Sequence, residues 1–345
     1  MAPHESAIDN LPNVPDEVES LLKRFSSALD SNNKEFQSIE EEYDFYRFLV
    51  GDIHGIARCK IVTKSAYSRM STKGPGMTWR CLVLALDSYN NYSFKRTDGV
   101  VSDARLMVKH SVPRPLSWAG GGKEGAHSVA AVVCESFWGI DEQPQQACPR
   151  FIARRLCEQL EEEHKLRILH ASEMEFTIFN ESREPVSSEG SFLVSQEFAF
   201  HEDELFRLSR ACEQAGIPIE TLQTEYGPGQ FEFVLKPTYG VEGADNEFLF
   251  KNTAKELLQK TTGHRSRCTF MSKPISNSVG NGSHYNHSLW RIKDSGDNND
   301  VVEDAMWDST EECKLTKTAQ HWVAGILKHS PALAGLFFSM SLIEG

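Results

Sequence analysis

The chain has 345 residues, 40% of them hydrophobic and 25% charged, which excludes whole-chain disorder and leaves room for two domains with a substantial core. Lys and Arg number 36 against 49 Asp and Glu, a net charge of −13; without a concentrated basic patch such a chain repels phosphate backbones, so nucleic acid is excluded as a partner. The longest apolar stretches, Ser128–Cys134 and Ala332–Met340, fall short of the roughly 18–20 residues of a membrane span, the polar start Met1–Asn13 lacks a signal-peptide pattern, and eight cysteines show no Cys-x-x-Cys pair, so a cytoplasmic protein with no membrane partner is expected.

Pro15–Ser31 spaces Val18, Leu21, Leu22, Phe25, Ala28 and Leu29 at helical intervals, with Asp16, Glu17 and Glu19 in the first turn where the helix dipole favours acids. The segments Tyr43–Val50, Ala57–Val62, Thr78–Leu86 and Ser128–Cys134 are strand-like and separated by turns. Gly120–Lys123 is read as a hairpin loop, because a phosphate-binding loop needs Ser or Thr after its Gly-Lys and Glu124 stands there. Pro149 suits the start of a helix carrying Ile152, Leu156 and Leu160 on one face. A strand at Ala171–Phe179, a helix at Glu202–Ala215, strands at Ile217–Glu225 and Gly229–Leu235, a helix at Asn246–Thr262, strands at Arg267–Met271 and His284–Arg291 and a helix at Thr316–His329 follow. The expected organisation is a helical segment over 1–37, a β-rich domain over 38–145 and an α/β-alternating domain over 146–345.

Candidate chemistry gathers in the second domain. The two-residue period of a strand puts Glu173, Glu175 and Thr177 on one face of Ala171–Phe179 and Met174, Phe176 and Ile178 on the other. Alone, this reads equally well as a strand with a solvated outer face. A second acid-bearing segment follows, in which Gln230 and Glu232 share a strand face and a Gly-Pro-Gly turn brings Glu225 back towards them. The segment Gly280–Trp290 then aims His284, Asn286, Ser288 and Trp290 to one side of a strand. Four carboxylates and an imidazole converging on one cavity repel unless cations neutralise them, and hard oxygen donors suit Mg²⁺ or Mn²⁺. The remaining histidines His54, His110, His127, His170 and His201 stand singly and are read as structural or exposed.

The order of these pieces carries a resemblance. Glu173-Met-Glu175-Phe176, then Glu225-Tyr-Gly-Pro-Gly-Gln230-Phe-Glu232, then Lys273-Pro274 and the Gly-rich turn leading to His284 and Ser288-Leu-Trp290, is similar to the glutamine synthetase catalytic domain, nearest its fungal FluG-like, class-I-like branch. Gln320–Leu333 resembles the helix of that family with its Ala-Gly-Ile-Leu-x-His-x-Pro-Ala-Leu ending, and Phe48–Lys60 resembles the first strand of its β-grasp domain. The resemblance implies an α+β fold: a β-grasp-like N-terminal domain beside an antiparallel α/β barrel, incomplete because the chain read here ends at Gly345 before the family's C-terminal arginines. It also implies an ATP-dependent ligase, often a homo-oligomer, joining the γ-carboxylate of glutamate through γ-glutamyl phosphate to ammonia or an amine. Carried over residue by residue, Glu175, Glu225 and Glu232 match ligands of a first Mg²⁺ or Mn²⁺, and Glu173 and His284 match ligands of a second. Asn286 and Ser288 match nucleotide-site positions, Gly280 a glutamate contact, and Asp98 an N-domain aspartate of the neighbouring subunit's ammonia site. Two departures stand out: Asn286 replaces a histidine, and Gln223-Thr224 precede Glu225 where the family has histidine. The alternative reading is a truncated, catalytically impaired homologue acting as a binding or structural subunit.

Overall fold

The computed structural model describes residues 43–73, 76–80, 83–84, 104–108, 110–120, 127–139, 143–261, 266–293 and 301–337. The expected N-terminal helix, Asp98 and most of the Gly120–Lys123 loop lie outside them. In chain order the elements are β1 (Phe45–Gly51), β2 (Ala57–Thr63), α1 (Lys64–Lys73), β3 (Met77–Trp79), β4 (Ala104–Met107), β5 (Arg114–Pro115), β6 (Val129–Val133) and β7 (Glu135–Trp138). They continue with α2 (Pro149–His164), β8 (Leu166–Phe179), α3 (Ser195–Gln214), β9 (Ile219–Thr224), β10 (Gln230–Leu235), β11 (Thr238–Tyr239), α4 (Val241–Thr261), β12 (Arg267–Thr269), β13 (Ser283–Lys293), β14 (Val301–Asp304) and α5 (Lys317–Phe337).

The fold is α+β. The first half forms a four-stranded sheet ordered β2-β1-β6-β5 and a three-stranded sheet ordered β3-β4-β7. The second half builds a seven-stranded sheet on the path β14-β13-β8-β10-β9, with β11 and β12 also pairing with β8. All its pairings are antiparallel, and β8, at 14 residues, is the strand on which the others register. One face of β8 and β10 is apolar: Met174, Phe176, Ile178, Phe231 and Phe233 are buried against Leu205, Leu208, Leu249, Phe250, Leu257 and Leu258 of α3 and α4. A second core lies in the first half, where Tyr46 stacks on Tyr67 with ring centroids 3.8 Å apart. Among the described residues no helix is long and apolar enough to cross a membrane.

Several boundaries differ from the sequence reading for identifiable reasons. Helix α3 starts at Ser195 rather than Glu202, because its buried stripe, Leu205, Leu208, Ala211 and Cys212, occupies only its later turns while the first turns face solvent. Helix α4 starts at Val241 rather than Asn246, and its first turn approaches β8 so closely that a Cβ on Gly243 would strike the ring of His170. Helix α5 runs to Phe337 through Pro331 instead of stopping at His329. Helix α1 has no counterpart in the sequence reading, since its largely polar sequence is anchored chiefly by buried Tyr67 and partly buried Ala66 and Met70. The segment read as one strand over Ser128–Cys134 is β6, which ends at Val133, and the chain re-enters a different sheet as β7.

Candidate active site

The acids sit on the face of β8 and β10 opposite the aromatic core. Strand register sets their spacing: Glu232 of β10 lies directly across from Glu175 of β8 on one side and from Gln223 of β9 on the other. Directly paired residues point to the same face of a sheet, so Gln223, Glu232 and Glu175 form a row across three strands. On the other flank of β8, His284 of β13 is paired with Glu173. Glu225 follows β9 into the turn and comes back beside the row, where its Oε1 accepts a hydrogen bond from Gln223 Nε2 at 2.8 Å. The structure thus brings Glu173, Glu175, Glu225, Glu232 and His284 to one face.

Each carboxylate has defined partners. Glu175 Oε2 accepts from Gln230 Nε2 at 2.6 Å and from the Gly282 amide at 2.9 Å. The Gln230 amide is itself fixed, with its Nε2 also donating to the Gly280 carbonyl at 2.9 Å and its Oε1 accepting from the Gly227 amide at 2.8 Å. Gln223 Nε2 donates to Glu232 Oε2 at 2.7 Å as well as to Glu225. Glu173 is held on both oxygens, by His284 Nδ1 at 2.9 Å and Asn286 Nδ2 at 2.7 Å. A Cβ at Gly282 would stand 2.8 Å from Glu175 Oε1, so the backbone here approaches the acid as only glycine allows.

The electrostatics follow from this crowding. Burial pushes the Glu232 carboxyl up to about 7, and neighbouring Glu225, then the charges of Glu173 and Glu175, push the same way. His284 is held above the ordinary histidine value by its hydrogen bond to Glu173, against a smaller opposing effect of desolvation. The donor set of four carboxylates and one imidazole suits a hard divalent cation, whose charge would relieve this repulsion. In the present arrangement amide groups of Gln223, Gln230 and Asn286 bind the carboxylate oxygens, and among the described residues no three His, Cys, Asp or Glu side chains stand close enough together to hold a metal ion.

The other sequence-derived candidates have more local roles here. Ser288 Oγ accepts a hydrogen bond from Trp290 Nε1 at 2.9 Å. The Gly280 carbonyl holds Gln230, and the glycine packs tightly against the Ser272 carbonyl. Asn286 points its amide at Glu173. His170 is a buried core residue whose Nε2 hydrogen-bonds the Gly240 carbonyl at 2.8 Å. The sequence reading assigned no role to Gln223 or Gln230; the signal was present, because each lies two residues from an acid and shares its strand face.

Residues 146–340, more than half of the chain, match the family model described as glutamine synthetase, catalytic domain. The chain is 27% identical over 338 residues to Lengsin of Rattus norvegicus, a match covering 97% of this chain and 56% of that protein. It is 30% identical over 211 residues to glutamine synthetase of Staphylococcus aureus, covering 60% of this chain and 44% of that protein. It therefore spans about half the length of the curated relatives it matches. Among solved structures, a crystal structure of a novel glutamine synthase homolog aligns with a TM-score of 0.71 at 23% identity, covering 85% of this chain and 64% of the other. The cryo-EM structure of Plasmodium falciparum glutamine synthetase aligns with a TM-score of 0.66 at 19% identity, covering 88% and 61%, and both share the fold. The chain belongs to the glutamine synthetase family and carries a catalytic domain of that type.

Proposed function

We propose that this member of the glutamine synthetase family supplies the cation-binding and acyl-activating half of an ATP-dependent ligase, joining the γ-carboxylate of glutamate to ammonia or an amine. The observation that supports the reading is the in-register row of acids, with Glu232 opposite Glu175 and His284 opposite Glu173. Glu175, Glu225 and Glu232 would hold one Mg²⁺ or Mn²⁺, and Glu173 with His284 a second. When bound, such cations neutralise the charge that develops on a transferring phosphoryl group. Asn286 and Ser288 are assigned to the nucleotide side of the site and the Gly280 backbone to glutamate. Asp98 is assigned to the ammonia site of a neighbouring copy in a homo-oligomer, the domains to 1–37, 38–145 and 146–345, the branch to the FluG-like, class-I-like one, and the compartment to the cytoplasm.

A second reading, a homologue that binds ligands without efficient turnover and serves as a binding or structural subunit, is favoured by one feature: the carboxylate oxygens are already bonded to the side-chain amides of Gln223, Gln230 and Asn286. One experiment separates the readings. Calorimetry should detect Mn²⁺ binding that Glu232→Gln weakens, and glutamate- and ATP-dependent phosphate release should be abolished by Glu175→Ala. Cation binding without such release supports the subunit reading; no cation binding overturns both.

A further inference from the structure

We infer that Gln223 is the positioning residue of the acid row, a neutral clamp that holds Glu225 and Glu232 at a fixed spacing for a shared cation; this rests on the proposed reading of those two residues as ligands of one ion. The geometry is specific. A primary amide nitrogen carries two hydrogens, and Gln223 Nε2 lies 2.8 Å from Glu225 Oε1 and 2.7 Å from Glu232 Oε2, so one atom serves both acids. Gln223 faces Glu232 directly across β9 and β10, and Glu225 lies two residues further along the chain, just past the end of β9, so the amide reaches both acceptors from one position. Hydrogen bonds to ionised acceptors are about twice as strong as neutral ones, which makes this a firm link.

The choice of side chain follows from the charges around it. Glutamate at 223 would add a fifth carboxylate to the four already on this face. Lysine would neutralise the row permanently and compete with the cation. Histidine has two ring nitrogens pointing in divergent directions and cannot serve both acids from one atom. Glutamine stays neutral and engages one oxygen of each acid, Glu225 Oε1 and Glu232 Oε2, so it fixes the two carboxylates relative to each other without adding charge. Groups that orient metal ligands typically account for 10–100-fold in affinity.

The test uses the full chain. Gln223→Met, close in volume but without donors, should raise the Kd for Mn²⁺ by about 10–100-fold, and the electron paramagnetic resonance spectrum of bound Mn²⁺ should broaden as its ligands lose a fixed arrangement. A second arm needs no metal. In metal-free protein Gln223→Met should lower the urea midpoint, should lower it less when combined with Glu225→Gln, which removes the repelling partner, and Gln223→Glu should lower it more than Gln223→Met. Wild-type Mn²⁺ affinity in Gln223→Met overturns the inference, as does the same midpoint shift with and without Glu225→Gln. If the wild-type protein binds no Mn²⁺, the ligand reading fails, and the metal-free cycle still decides whether Gln223 clamps the pair.

Discussion

Replacing Arg150 by Met tests the ion cluster that ties the two halves of the chain together. Arg150 Nη1 lies 2.8 Å from Glu135 Oε1 at the start of β7, its Nε and Nη2 each lie 2.9 Å from an Asp245 oxygen on α4, and Nη2 donates to the His110 carbonyl at 2.7 Å. Glu135 is fully buried and Asp245 nearly so. After the substitution Glu135 keeps Arg154, at 2.6 and 3.0 Å, whereas Asp245 retains only the longer-range attraction of Arg114. Removing one partner of a buried pair costs about 3–5 kcal/mol, a large share of the roughly 5–15 kcal/mol that stabilises a typical domain. The loss should depend on pH in a definite direction. Burial raises the Asp245 carboxyl above the ordinary aspartate value and Arg150 opposes that rise. A raised acid binds a proton in the folded state before the unfolded one, so stability falls as pH climbs from the unfolded aspartate value to the raised one. Without Arg150 the rise is larger, so the deficit should be small in acid and full at neutral pH, and Arg150→Met/Asp245→Asn should recover most of it. Urea denaturation at pH 5 and pH 7 measures both quantities. A deficit under about 1 kcal/mol at pH 7, as for an exposed ion pair, or one equal at the two pH values, would refute the reasoning.

Gly282→Ala places a methyl group 2.8 Å from Glu175 Oε1; it should weaken divalent-cation binding by about tenfold with little change in the urea midpoint, both readable by calorimetry and denaturation of the same sample. Burial pushes the Cys134 and Cys212 thiols far above their ordinary value, while Cys313 is exposed. Among the described cysteines, Cys313 should therefore react promptly with a thiol reagent in the folded protein, and Cys134 and Cys212 only after unfolding.

Local periodicity made part of this legible in the sequence. The two-residue alternation over Glu173–Ile178 placed the two acids on one face and the apolar residues on the other, and the buried stripe Leu205, Leu208, Ala211 and Cys212 marked the body of α3. Register was beyond its reach. That Gln230 meets Glu175 across 55 residues, and His284 meets Glu173 across 111, depends on which backbone groups pair between strands distant in sequence. The start of α3 was missed because its first turns largely face solvent, that of α4 because its first turn packs through Gly243 against His170 and so shows no apolar period, and α1 was missed because a single buried tyrosine anchors most of it. Gln223 and Gln230 were visible beside the acids but received no role, because neutral side chains carry no charge signal; what they bind appears only when register sets an acid next to each.

The same strands that present the acids also carry the aromatic core, and the two faces have separable jobs. Phe176 is buried, with its ring 5.8 Å from Phe233, 6.2 Å from Phe250 and 5.3 Å from Phe270, while Glu175 beside it in sequence projects to the opposite face. Burial, and then the neighbouring acids, raise the Glu232 carboxyl, so the ionised row is unfavourable for folding, and apolar burial behind it offsets that cost. If the faces act independently, Phe176→Leu should lower stability by about 2 kcal/mol through lost burial and an unfilled cavity, while changing the Mn²⁺ affinity of the folded fraction by less than about twofold, as expected for energetically independent sites. Glu175→Gln should do the reverse: Mn²⁺ binding weakens, while the urea midpoint stays level or rises because one charge has left the row. Parallel losses of stability and affinity in both variants would show that the row draws its geometry from the core packing itself, and the division of labour between the faces would then be wrong.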